Sequence, residues 1–99
     1  MDMQTYDLEV SKDWQHAQSL LASGEKFEAT ISASNTLGLV VKFGHLRGFI
    51  PAAQIALRPQ LQARQEDWMS KLTGMRLLLK VIEADKARHR LVFSEHLSP

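Results

Sequence analysis

The hydrophobic period changes abruptly at Gly24. Before it, Trp14, Ala17 and Leu21 recur at helical spacing, with Leu20 beside them. After it, Phe27, Ala29, Ile31 and Ala33 alternate with Glu28, Thr30 and Ser32. Alternation with period two places one residue set on each face of an extended chain, so only a strand buries the apolar set on one side. The chain is therefore expected to begin with one short helix and to continue mainly as strands. Ser11 is placed to cap the helix at Lys12, with Asp13 favourable in its first turn, and Gly24 ends it. Residues 1–10 carry no pattern and read as a loose end.

The strand reading continues along the chain. Ser34, Asn35 and Thr36 form a turn before a second strand over Leu37 to Phe43, with Val41 and Phe43 inward and Val40 and Lys42 outward. Gly44 and His45 turn the chain into a short third strand, Leu46 to Ile50, which Pro51 ends because proline donates no ladder bond. Residues 52–73 are a helical insertion. Ala52 to Leu57 fit one turn before Pro59, and Leu61, Trp68 and Leu72 share a helical face. The fourth strand runs from Met75 to Ala84, with Leu77, Leu79 and Val81 inward and Arg76 and Lys80 outward. After a turn over Asp85 to His89, the fifth runs from Arg90 to Glu95, with Leu91 and Phe93 inward and Arg90, Val92 and Ser94 outward. A mainly β chain of five short strands, with a helical insertion between strands three and four and a short N-terminal helix, has the plan of a five-stranded OB-fold barrel.

Ninety-nine residues make one domain. With no cysteine, a disulfide framework and a thiolate metal site are excluded. No apolar run approaches the roughly 20 residues that cross a bilayer, and the acidic N-terminus is no signal peptide, so no membrane partner is expected. The net charge of +1 hides an asymmetry: residues 1–28 hold six acids and two bases, residues 29–99 five acids and ten bases. The body of the chain is basic, as expected of a module that meets a polyanion. No catalytic set is visible. His16, His45, His89 and His96 lie in different elements, without the pair spacing of a metal site, and Glu66 and Asp67 diverge on a helix. Ser94 has no nucleophile elbow around it. No cofactor and no metal is expected.

Lys42, Arg47, Arg76, Lys80, Arg88 and Arg90 fall on outward strand positions or hairpin ends, as a phosphate-tracking groove requires. Lys86 to Arg90 is the densest basic cluster; it also suits a solvated hairpin tip. Phe49 is opposite in parity to Ile50. It is either a platform for a stacked base or packs beneath the helical insertion. Asn35 and Thr36 either read a base edge or bond their own turn, and the turn is the commoner use.

Arg47-Gly48-Phe49-Ile50-Pro51 followed by Ala53-Gln54-Ile55 resembles the third-strand signature of the S-one RNA-binding domain, the OB-fold repeat of bacterial small-subunit ribosomal protein one. Gly38 to Phe43 is similar to that family's second strand, Lys80 to Asp85 to its fourth strand and turn, and Arg90 to Ser94 to its last strand. The helix around Trp14 is similar to the linker helix between tandem copies. The match is collinear over roughly residues 14–97. The resemblance implies a linker-type helix with a loose N-terminus over 1–24 and an OB-fold RNA-binding domain over 25–99, one piece of a longer tandem array. It implies a non-catalytic module for single-stranded RNA such as mRNA, with weak sequence preference, in translation or RNA metabolism. The ribosomal small subunit and sister domains are the further partners it implies, in a bacterial cytoplasm or an organelle. On the family's binding face stand Thr36 and Leu39 or Val40, Phe49 and Pro51, and Asp85 and Arg90; with the outward bases, the RNA-binding set is Thr36, Leu39, Val40, Lys42, Arg47, Phe49, Lys80, Arg88 and Arg90. The chain departs from the family at Thr36, Leu39 and Pro51, where binding members carry phenylalanine and histidine. That departure fits a second role, a protein-interaction or spacer OB-fold docked on a ribosomal protein or sister domain.

Overall fold

The computed structural model describes residues 3–56 and 70–96, the side chains of residues 3 and 4 apart. A helix, α1 (Met3–Ser23), precedes β1 (Phe27–Asn35), β2 (Gly38–Phe43) and β3 (Leu46–Pro51). A single 3-10 turn (Ala52–Gln54) follows, then β4 (Arg76–Asp85) and β5 (Arg90–Ser94). The strands close into a barrel in the order β1-β2-β3-β5-β4, and β4 pairs back onto β1. All pairings are antiparallel except β3 with β5, which meet in parallel at Phe49 and Val92. Of the expected insertion, the described residues show the 3-10 turn and the buried Leu72. Leu57, Pro59, Leu61, Glu66, Asp67 and Trp68 lie outside the described residues.

Closure buries the inward set. Ile31, Leu39, Val41, Ile50, Leu79 and Phe93 are almost fully enclosed. Three phenylalanine rings, Phe27, Phe43 and Phe93, stand 5.3–5.8 Å apart, the spacing of favourable aromatic packing. Gly48 exists for Phe93: a Cβ at position 48 would run into the Phe93 ring. The inward position opposite Val41 is therefore left empty so that β5 can place its largest side chain there.

Val92 and Ser94, expected outward, are both buried, Val92 without joining the core cluster. β5 lies between β3 and β4, and its end is tied to the 3-10 turn. Ser94 Oγ donates to Gln54 Oε1 at 2.7 Å, and the Glu95 N–H donates to the Gln54 carbonyl at 2.9 Å. A hydroxyl satisfied in this way is buried at little cost.

The helix starts well before the Ser11 cap, at Met3. Periodicity missed this because Tyr6 and Leu8 stay exposed and contribute no apolar stripe. Trp14, Ala17 and Leu20 are buried and belong to the barrel's core cluster. A second contact holds the helix at the β2–β3 turn. Asp13 Oδ2 accepts the His45 N–H at 2.8 Å and lies 2.9 Å from His45 Nδ1, while His45 Nε2 lies 3.0 Å from Glu9 Oε2. Gly44 makes this possible twice over. It takes φ +59°, and a Cβ there would lie 2.5–2.6 Å from the Asp13 carboxylate.

Partial burial works to raise the Asp13 pKa, but the hydrogen bonds from the His45 backbone and ring, with the charges of His45 and His16, outweigh it and hold the carboxyl below its usual value. A depressed folded value means that the stabilisation is present above the unfolded value, about pH 4, and is lost as pH falls through the folded one. Asp13→Ala is expected to cost about 1 kcal/mol at pH 7. Urea unfolding at pH 7 and at pH 3 checks this: the gap between variant and parent should narrow at the lower pH, and an unchanged gap would refute it.

Candidate nucleic-acid interface

Three strands present one continuous outer row. Val40 on β2 pairs with Phe49 on β3, which pairs with Val92 on β5. Val92 is buried, and Val40 and Phe49 are half-buried. Gly38 leaves room for the phenylalanine: a Cβ there would lie 2.9 Å from Phe49 Cζ. The Phe49 ring thus leans across β2 toward the β1–β2 loop, a diagonal placement within reach of aromatic side chains. Arg47 follows on β3 and Arg90 opens β5. Together with His89 these residues line a shallow concavity of about 400 Å³.

The arginines differ in their surroundings. Arg90 Nε donates to Glu83 Oε2 at 3.1 Å, and that hydrogen bond and charge raise its pKa further, so it is a fixed cation. The bond uses one of five guanidinium N–H donors. Arg88 Nε stands 3.7 Å from Asp85 at the exposed hairpin tip. Arg47 makes no ion pair among the described residues. It stands directly opposite Lys42, which makes none either.

Four of the nine expected site residues, Val40, Arg47, Phe49 and Arg90, therefore come together in one patch. Lys42 adjoins it through Arg47. Thr36 sits exposed in the β1–β2 loop, at the end toward which Phe49 leans. At the end of β1, Asn35 Oδ1 accepts the N–H groups of Leu37 (2.8 Å) and Gly38 (3.1 Å), so its side chain serves the turn. Arg88 stands at the hairpin tip. Lys80 does not join the patch: it pairs with Ser94 at the opposite end of β5 from Arg90. Leu39 is corrected out of the face. It shares parity with Val41 and Phe43 and is wholly enclosed in the core, so it presents nothing to a ligand.

His89 is the residue that sequence reasoning did not assign. It takes φ +52°, uncommon for a side-chain-bearing residue, and its ring packs against Trp14 with centroids 6.5 Å apart. Its place inside the densest basic run was the available signal. Among the described residues, no group of three or more His, Asp or Glu side chains is placed to hold a metal ion, and no helix is long and apolar enough to cross a membrane.

The closed strand order and the patch on its β2–β3 face define an OB barrel, a fold that takes up oligonucleotides and oligosaccharides on that face and on the loops between strands 1 and 2 and strands 4 and 5. Residues 20–95 match the model of the S1 RNA binding domain, and the chain belongs to that family. It is similar to small ribosomal subunit protein bS1A of Synechocystis sp., 33% identical over 87 residues, covering 88% of this chain and 24% of that protein. It is 32% identical over 87 residues to bS1 of Synechococcus sp., covering 88% and 26%. The chain spans about a quarter of the length of these relatives. Among solved structures, Mycoplasma genitalium RNase R superposes with TM-score 0.54 at 22% identity, over 83% of this chain and 14% of that one. The a/eIF2alpha-aDim2p-rRNA complex from Pyrococcus horikoshii superposes with TM-score 0.55 at 19% identity, over 71% and 41%. Both likenesses are of fold.

Proposed function

We propose that this chain is a non-catalytic module for single-stranded RNA, with weak sequence preference, that acts in translation beside the ribosome in the cytoplasm. The observation that carries this reading is the Val40–Phe49–Val92 row flanked by Arg47 and Arg90. A base stacks on Phe49 over an apolar floor, and the backbone phosphates meet the two guanidinium groups. Stacking needs only the π-face that every base has, hence the weak preference. The cyanobacterial relatives are small-subunit ribosomal proteins, which supports the setting.

Fluorescence anisotropy of a labelled RNA of about a dozen nucleotides tests it. With roughly two phosphates neutralised, affinity should fall roughly sevenfold between 50 and 200 mM salt. Phe49→Ala should cost about 1–3 kcal/mol of binding. Duplex DNA of equal length should bind more weakly. No binding at low salt and high protein concentration would overturn the reading.

A second reading, a protein-docking or spacer barrel, is favoured by two observations. Arg88 and Arg90 already have carboxylate partners, and strand two carries Val40 at the centre of the face. Docking through this face would be insensitive to salt and lost in Val40→Asp, whereas a charge at the enclosed Leu39 would only unfold the barrel.

A further inference from the structure

The Phe49 patch does not end at Arg47. A second and larger groove, about 600 Å³, continues from it and shares Val40 and Arg47 with it. The groove passes over β2 and β3 to the first turns of α1. Ser32, Lys42, His45 and Tyr6 line it, with no carboxylate among the described lining residues; Glu9 and Asp13 stand behind His45. From these residues we infer that the groove is a second nucleotide site, in which Tyr6 of α1 stacks a base of the RNA strand leaving Phe49 and the Lys42–Arg47 pair holds its phosphates. The inference rests on the RNA reading above and extends the path from the barrel onto the helix.

Three observations converge on it. First, Lys42 and Arg47 are directly opposed across β2 and β3, with no acid paired to either among the described residues. Like charges so placed repel and cost stability. A phosphate between them removes the repulsion, and two phosphates of one strand supply the charge twice. Second, Tyr6 is 42% exposed although it is a large aromatic. It is also held in position, edge-to-face with His45 at 5.7 Å and 84°. His45 is itself fixed between Glu9 and Asp13. An exposed ring whose orientation is already set loses little entropy when a base stacks on it. Third, β1 carries a bulge between Ile31 and Ala33, so Ser32 is the unpaired extra residue at the groove's edge. Its hydroxyl donates to the Val40 carbonyl at 3.2 Å, and the oxygen still has a lone pair to accept a ribose hydroxyl.

The chain has one tyrosine, so 3-fluorotyrosine labelling gives a single fluorine resonance that reports Tyr6 alone. That resonance should shift on titration with an RNA of about ten nucleotides, and much less with one of about four, which fills the Phe49 patch only. In anisotropy, Tyr6→Ala should weaken the longer RNA about tenfold, leave the shorter one unchanged, and be rescued by Tyr6→Phe. Thermal unfolding of Tyr6→Ala should match the parent, as the ring is on the surface. If Phe49→Ala weakens both RNAs while Tyr6→Ala weakens neither and the fluorine line stays still, the second site is refuted and the first stands. If Phe49→Ala has no effect on either RNA, the RNA reading itself fails, and this inference with it.

Discussion

Phe93→Ala is expected to lower the unfolding free energy by about 3–5 kcal/mol, the cost of a large cavity in a close-packed core. Phe93 is fully enclosed, packs against Phe27 and Phe43, and fills the space that Gly48 leaves open. A domain of this size has about 5–15 kcal/mol in total, so one ring accounts for a large share. At about 4–8 °C per kcal/mol, the melting temperature should drop by more than about 12 °C in calorimetry. The two positions should also couple. Gly48→Ala alone forces its methyl into the ring and costs about 1–3 kcal/mol. In the Phe93→Ala background the same methyl enters a void, and its cost should vanish or reverse. Additive costs would show that Gly48 and Phe93 do not share that space.

Trp14→Ala is expected to cost a similar amount, about 3–5 kcal/mol, but to spend it differently. Trp14 is the bulkiest buried side chain of α1, with Ala17 and Leu20 in the same core cluster. A helix draws most of its stability in a protein from such packing. Without the indole, α1 keeps the Asp13–His45 contact and only the smaller apolar anchors Ala17 and Leu20. Hydrogen exchange should therefore quicken throughout α1, while the β2, β3 and β5 amides stay protected. Equal protection of α1 in variant and parent would show that the helix does not depend on this residue. Because the Trp14 ring also supports His89, the variant should loosen one wall of the concavity around Phe49.

Most of the barrel was legible because its inward residues alternate, although the bulge at Ser32 turns Ala33 out to an exposed position. The five strands fall within a residue or two of where Phe27 to Ala33, Leu37 to Phe43, Leu46 to Ile50, Met75 to Ala84 and Arg90 to Glu95 place them. What period alone misses is set by neighbours distant in sequence. Val92 and Ser94 alternate like outward residues, yet β3 and the 3-10 turn cover them. The first turns of α1 bury little, so nothing apolar announced them. At the site, Phe49, Arg47 and Arg90 were found by parity and charge, and register brought them together with Val40. Lys80 satisfied the same criteria and lies elsewhere, because parity gives the side of a strand and not the distance along it. Leu39 entered through family resemblance, although its parity with Val41 already placed it inside.

The position of β5 has a consequence for how the chain acquires its shape during synthesis. β1, β2 and β3 form a meander whose contacts are local, and such contacts form early. β5 comes after β4 in chain order yet lies between β3 and β4. Until Arg90–Ser94 has left the ribosomal exit tunnel, β3 and β4 each display an open edge, the kind that recruits foreign strands. The Phe49 row is also incomplete until then, since Val92 is its third member. Closure of the barrel and completion of the Phe49 row are thus one event, and a nascent chain halted before Arg90 would hold neither.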